Sequence, residues 1–390
     1  MKWPFINLGE IADFKNGLNF SKDQYGKGVK YISVADFQDY FSAKTEELAE
    51  LKEDFIGPHY LLKGGDILFV RSNGNKELVG RNLFIEESIE PITFSGFCIR
   101  ARFTNENTYP RFYAYLFKSK FIRNTLSANA GGTNINNLNQ GILSNLKIPI
   151  PPFSIQRKIA SILSAYDELI ENNLKRIKLL EEKAFLRYKG IVREEEMEEF
   201  FIEEVCETLG GGTPSTGDRR FWDEGEILWF SPTDLTKHNS IVLIDSDKKI
   251  TELGLQKSSA KLVPPKTILM TSRASIGYFG LINKPASTNQ GFINITPFNE
   301  NHSAYMLFDL KNRKEEIIGN ANGSTFLEIS KGKFRQMKIK LPKNENVSVN
   351  FEREFKITFN FIENLLKQNA KLREARDILL PKLMNGQIEV

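Results

Sequence analysis

The feature that most limits what this chain can fold into is the run of residues 153–190, where apolar side chains recur at alternating intervals of four and three. Ile159, Leu163, Tyr166, Ile170, Ile177, Leu180 and Ala184 follow that rhythm, and Asn173 fills its one polar step. Such spacing is the narrow seam of a coiled coil rather than the broader stripe of a helix on a globular core. Shifted by 192 residues the rhythm returns as Phe351, Phe355, Thr358, Ile362, Leu365, Leu372 and Leu379, with Asn369 and Arg376 in the seam. Each segment predicts a helix about 55 Å long at roughly 1.5 Å per residue. Neither helix buries its seam alone, so the two are expected to pair with each other. Asn173 and Asn369 are expected at corresponding levels, where a buried polar group fixes register at some cost in stability.

The repetition extends beyond the helices, and a repeat of this length decides the reading of the whole fold. Gly132-Thr133-Asn134-Ile135-Asn136-Asn137-Leu138 lies over Gly323-Ser324-Thr325-Phe326-Leu327-Glu328-Ile329, and the match continues without a gap to the prolines at 151 and 342. Gly65-Asp66-Ile67-Leu68-Phe69-Val70-Arg71-Ser72 resembles Lys266-Thr267-Ile268-Leu269-Met270-Thr271-Ser272-Arg273. Val79-Gly80 pairs with Ile276-Gly277, and Ser95-Gly96-Phe97 with Gln290-Gly291-Phe292. The unit is a β-rich domain of about 150 residues followed by one long helix, used twice. Strands are predicted over 29–34, 66–70 and 97–103, and over 227–230, 267–271 and 292–296. Helices are predicted over 110–128 and 304–319, with a short one at 138–143. Prolines 149, 151 and 152 set the junction before the long helix, with Ser154 as its N-cap. The acidic run 194–199 reads as a solvated linker. The expected fold is α+β: two β-rich globular domains of like topology, separated by two long helices packed as an antiparallel coiled coil with pseudo-twofold symmetry. The domain bounds are 1–152, 153–195, 196–345 and 346–390.

Composition narrows the function. The net charge is only +4, enough to permit a local basic face without demonstrating one. Two single cysteines, Cys98 and Cys206, argue against a disulfide framework and for a reducing, cytoplasmic setting. No run of eighteen apolar residues is present, so a membrane span is not expected. The three histidines, His59, His238 and His302, are isolated, and no metal cluster is expected. Gly210-Gly211-Gly212-Thr213-Pro214-Ser215 lacks the lysine of a phosphate loop and reads as a flexible entry loop. Ile150-Pro151-Pro152-Phe153 invites comparison with the Asn-Pro-Pro-Phe of amino-methyltransferases, but its first residue cannot accept a hydrogen bond from a target amine.

What remains is polar, loop-borne and duplicated. Arg71, Ser72, Asn73, Asn75 and Lys76 follow one strand, and Ser272 and Arg273 follow its counterpart. Arg and Asn are the side chains that read base edges by paired hydrogen bonds, and Lys supports them on phosphates. Asn134, Asn136 and Asn137 form an amide-rich stretch whose equivalent, Ser324, Thr325, Lys331 and Lys333, is more basic. Arg219 and Arg220 make a third candidate patch. Residue by residue, turn chemistry is the plainer explanation; the duplication favours a surface role for the set. A coiled-coil scaffold and a lone DNA methyltransferase are the rival readings.

The whole chain resembles the specificity subunit of a type I restriction–modification system. The resemblance rests on the order domain, helix, domain, helix and on local signatures. These are Gly212-Thr213-Pro214-Ser215 with Phe221-Trp222 and Ile227-Leu228-Trp229, then Gly65-Asp66-Ile67-Leu68, then 156–163 at the start of the central helix and 380–386 at the C-terminal close. The second half has Val349-Asn350-Phe351 where a Gln-Arg pair would match Gln156-Arg157. The resemblance implies a non-catalytic subunit whose two target recognition domains each read one half of a bipartite, asymmetric double-stranded DNA site. It further implies helices that set the spacer and dock two methyltransferase subunits, with restriction subunits joining outside. DNA adenine methylation from S-adenosylmethionine, and cleavage driven by ATP and Mg, would belong to those partners.

Overall fold

The computed structural model describes residues 3–37, 41–46, 48–73, 75, 78–129, 136–237, 240–323 and 327–390. The chain forms two compact units, Met1–Ile170 with Leu372–Val390, and Glu171–Lys371. The division falls inside both long helices, Phe153–Glu194 and Glu345–Met384, so each unit owns part of each helix.

In the first unit a four-stranded antiparallel sheet runs Ala12–Asn16, Cys98–Phe103, Ile67–Val70, Asn82–Phe84. A second sheet orders Glu50–Leu51, Tyr25–Ile32 and Ile92–Phe94, the last pair parallel. Successive side chains of a strand face opposite ways, and Ile67–Val70 is buried on both. Ile67 and Phe69 enter a core with Phe112, Leu116, Ile148, Ile159 and Leu163. Leu68 and Val70 enter another with Ile32, Phe94 and Cys98.

The second unit repeats this plan. Cys206–Gly210, Phe292–Pro297, Ile268–Thr271, Phe279–Ile282 and Val242–Leu243 make the larger sheet, and Lys248–Ile250, Ile227–Phe230 and Ala286–Thr288 the smaller. The register of the larger sheets fixes the equivalences. Val70 faces Cys98, and Thr271 faces Phe292. Phe97 therefore corresponds to Gly291, one residue away from the sequence match Ser95-Gly96-Phe97 over Gln290-Gly291-Phe292. Two glycines close enough for identity drew that alignment out of step with the ladder.

Five local expectations are corrected. The helix read over 110–128 is two, Pro110–Lys118 and Lys120–Asn129, because Ser119 turns extended (ψ 141°). Residues 304–319 likewise split into Ser303–Asn312 and Lys314–Gly319 at Arg313. Ser154 is no N-cap: the long helix already includes Phe153, and the Pro152 carbonyl accepts from Gln156 N at 3.0 Å. The acidic linker becomes the strand Met197–Phe201, paired antiparallel with Lys338–Pro342 and edged by Glu199–Lys338 (2.6 Å) and Glu196–Lys343 (2.8 Å) ion pairs. Its counterpart in the first unit is Phe5–Asn7 with Lys147–Pro149. Finally, the glycine-rich loop is held rather than flexible. Trp229 Nε1 donates to the Gly212 carbonyl (3.0 Å), Trp222 Nε1 to that of Ser215 (2.9 Å), and a Cβ on Gly211 would lie 2.0 Å from the Asn289 carbonyl.

Within the first unit Ile159 and Leu163 share a core with Leu380, Leu383 and Met384. Arg376, half-buried in the seam, pairs with Asp167 at 2.5 Å, and Asp167 also accepts from the Tyr115 hydroxyl (2.6 Å). Within the second unit Ile177, Ala184, Tyr188 and Ile191 share a core with Phe351, Phe355, Phe359, Ile362 and Leu365. Asn173 Nδ2 donates to Asn369 Oδ1 at 2.9 Å, and Arg187 meets Glu354 at 3.2 Å. Rising numbers on one helix face falling numbers on the other, so the helices run antiparallel there. Tyr166, Leu180 and Leu372 are half-buried. Phe359, not Thr358, is the buried residue of its turn, because that stretch also covers the Ser303–Asn312 helix through Phe308 and Phe355. The seam there widens into a globular stripe.

Candidate nucleic-acid interface

The two polar stretches singled out in the first half meet. Beyond Val70 the chain continues as Ser72–Asn73, which pairs antiparallel with Asn136–Asn137. Arg71 N donates to the Phe97 carbonyl, and Leu138 N to that of Arg71, both at 2.8 Å. Arg71 is half-buried, its Nη1 3.3 Å from the Gly96 carbonyl. Ser72 Oγ donates to Asn137 Oδ1 at 2.7 Å. Asn73 and Asn136 are fixed by backbone pairing, and Asn75 is exposed. Lys76 and Asn134 lie outside the described residues.

The second unit builds the same ribbon from different residues. Ser272 N donates to the Gly291 carbonyl (2.8 Å) and Ile329 N to that of Ser272 (3.0 Å). Arg273 then bridges antiparallel to Glu328, with Nη2 to Oε1 at 2.9 Å. Ser272 itself is only 3% exposed, which removes it from the set that could touch DNA: the strand's alternation turns it inward and Arg273 outward. Ser324 and Thr325 lie outside the described residues. Lys331 and Lys333 are exposed on the short Lys331–Arg335 helix, which Ser330 caps as Asn139 caps Gln140–Ser144. Arg220 is clamped by Asp218 (2.9 and 2.7 Å), whose carboxyl the guanidinium pulls below the usual range; Arg219 meets Asp223 at 2.9 Å.

Several supporting residues escaped the sequence reading. Ser33 N and Oγ both donate to Asp36 (2.7 and 2.8 Å), and Ser231 N and Oγ do the same to Asp234 (2.7 and 2.6 Å). The signal was a Ser-x-x-Asp after the first strand of each smaller sheet. Asp66 binds Arg102 (2.6 Å) where Thr267 and Thr296 share a hydroxyl bond (2.9 Å), a charged pair exchanged for a neutral one in the same register. Gln156 is fully buried: its Oε1 accepts from Tyr109 N (2.7 Å) and its Nε2 donates to the Pro151 (2.8 Å) and Asn107 (3.1 Å) carbonyls. It clasps the helix start to the domain. Ser348, 192 residues further on, is likewise fully buried, but its Oγ has no hydrogen-bond partner among the described residues.

One strand-and-ribbon scaffold, carrying different polar side chains in each unit, suits two readings of one kind of polymer. The sequence pattern of type I restriction modification DNA specificity domains matches residues 1–182 and again 194–374. The chain belongs to that family. Among relatives of this family, the MjaIX specificity subunit of Methanocaldococcus jannaschii is 33% identical over 175 residues, 44% of this chain and 39% of that one. The EcoR124I/EcoR124II specificity subunit of Escherichia coli is 30% identical over 216 residues, 51% of this chain and 52% of that one. In these two alignments the chain spans about two fifths to one half of its relative's length. The putative MjaX specificity subunit of M. jannaschii aligns with all of this chain and 94% of its own length at 24% identity. The family fold is also that of the type I restriction–modification S subunit from M. genitalium, with TM-score 0.58 and 17% identity over 98% of this chain and 96% of that one. Among the described residues, no helix is long and apolar enough to cross a membrane.

Proposed function

We propose that this chain is the DNA specificity subunit of a type I restriction–modification complex and makes or breaks no bond itself. Each unit reads one half of a bipartite, asymmetric site on double-stranded DNA. The observation that carries this is the doubled specificity domain, one copy per unit, each with its own side chains on a shared ribbon. The long helices set the spacer between half-sites. They also dock two methyltransferase subunits, with restriction subunits outside; S-adenosylmethionine, ATP and Mg are used by those partners. Outward apolar residues support a docking role: Leu179 (63%) and Leu186 (60%) on the central helix, Ile357 (61%) and Phe361 (54%) on the C-terminal one. Leu179 with Leu186, and Ile357 with Phe361, stand seven and four residues apart and so share a helix face, and an exposed apolar face is one mark of a protein contact.

The test is selection from randomised duplexes by the full chain with methyltransferase subunits of a type I system. Two short conserved elements separated by a fixed, unspecified gap are expected. A single contiguous element, or no preference, would favour a scaffold instead. Titration of S-adenosylmethionine into the chain alone should give no heat; saturable binding would point to a methyltransferase.

A further inference from the structure

The two ribbons place a facing pair of polar side chains at one register position. Arg71 and Ser272 occupy equivalent places, since each donates its N–H to the residue preceding the central strand's partner and accepts from Leu138 or Ile329. One residue further on, Ser72 faces Asn137 and Arg273 faces Glu328 across the antiparallel bridge. Each pair is joined side chain to side chain, at 2.7 and 2.9 Å. Resting on the DNA-reading function proposed above, we infer that this cross-strand pair is a specificity determinant of each unit, Ser72–Asn137 reading an A·T pair and Arg273–Glu328 a G·C pair.

The chemistry follows from the base edges. A two-stranded ribbon fits the major groove, where adenine offers N7 as acceptor and N6 as donor. Asn137 has both complements in its amide, and the Ser72 hydroxyl donating to Oδ1 fixes which way the amide points. Oδ1 keeps a second lone pair for adenine N6–H, and Nδ2 is directed to N7. A G·C pair shows guanine O6 and N7 as acceptors beside the cytosine N4 donor. A guanidinium next to a carboxylate is complementary to that edge: Arg273 donates to guanine and Glu328 accepts from cytosine. Arg273 and Glu328 are 46% and 43% exposed in their side chains, reachable from outside. Ion pairs at such exposure contribute little to folding, so exchanging the pair should leave the fold intact.

The experiment compares duplexes selected, with methyltransferase subunits of a type I system present, by the full chain and by the R273S/E328N variant, which imports the first unit's pair, with circular dichroism confirming equal folding. The expected result is a change at one position of one half-site, G·C preference giving way to A·T with discrimination shifted about fivefold or more, while the other half-site is untouched. The charge-exchanged R273E/E328R variant keeps an ion pair and should lose the G·C preference at that position. An unchanged two-part site in both variants overturns the inference alone. So does a uniform loss of affinity over all sequences with a shallower salt dependence, which marks Arg273 as a phosphate contact. Failure of the unaltered chain to select any sequence overturns the underlying DNA-reading function as well.

Discussion

Asn173 and Asn369 show how one buried polar pair serves a helix seam. Each is almost fully buried, at 7% and 0% exposure, among Ile and Leu, and they bond each other. Asn173→Leu alone strips Asn369 of a buried donor and should cost about 1–3 kcal/mol, read as a lower denaturant midpoint. Adding Asn369→Leu should restore the midpoint or exceed it while loosening the pairing register; a double variant no better than the single would contradict this. Glu181 gives a pH-dependent counterpart. Burial pushes its carboxyl above the ordinary range, although Ser240 Oγ (2.7 Å) and Ile241 N (2.9 Å) donate to it. A carboxyl raised in the folded state contributes stability below its unfolded pKa and loses it as pH rises through the folded value. Glu181→Gln should therefore melt higher than the parent at pH 7, with the advantage fading as pH falls toward the unfolded carboxyl range. Melting at both pH values checks the sign.

At the scale of elements, Gln156 ties three backbone groups of one junction, and nothing in its sequence context announces that. Gln156→Ala should cost the first unit about 1–3 kcal/mol by leaving those groups unpaired, measured by chemical denaturation; a change within experimental noise would mean the clasp is redundant. The elements most legible from sequence were those with a long period or a repeat. The heptads gave the central helix to within one residue, the C-terminal helix, read to 390, ends at Met384, and the doubled Gly65–Val70 pattern gave the central strands. Breaks inside the shorter helices were hidden because neither Ser119 nor Arg313 is the glycine or proline that marks a helix end in sequence. The strand Met197–Phe201 was hidden by its glutamates, which its lysine-bearing partner neutralises from the other half of the sequence. The candidate interface was legible as residue types but not as a site. Ser72 and Asn137 are 65 residues apart, and their meeting depends on a bridge that local pattern does not encode. Glu328 was overlooked because an acidic residue does not suggest DNA until its arginine is seen beside it.

At the scale of the whole molecule, the proposed function makes the length of the long helices the ruler for the spacing of the half-sites. Both long helices run through both compact units, and at about 1.5 Å per residue the central one, with 42 residues, extends roughly 63 Å. One added heptad lengthens a helix by about 10 Å, the rise of about three base pairs. The decisive measurement is the site selected by a chain carrying one heptad inserted in each helix, between residues 170 and 171 and between 371 and 372, where the seam phase is preserved. Both half-sites should be unchanged and the gap between them longer by about three base pairs. A folded variant that selects the original gap would show that the helices do not set the spacing.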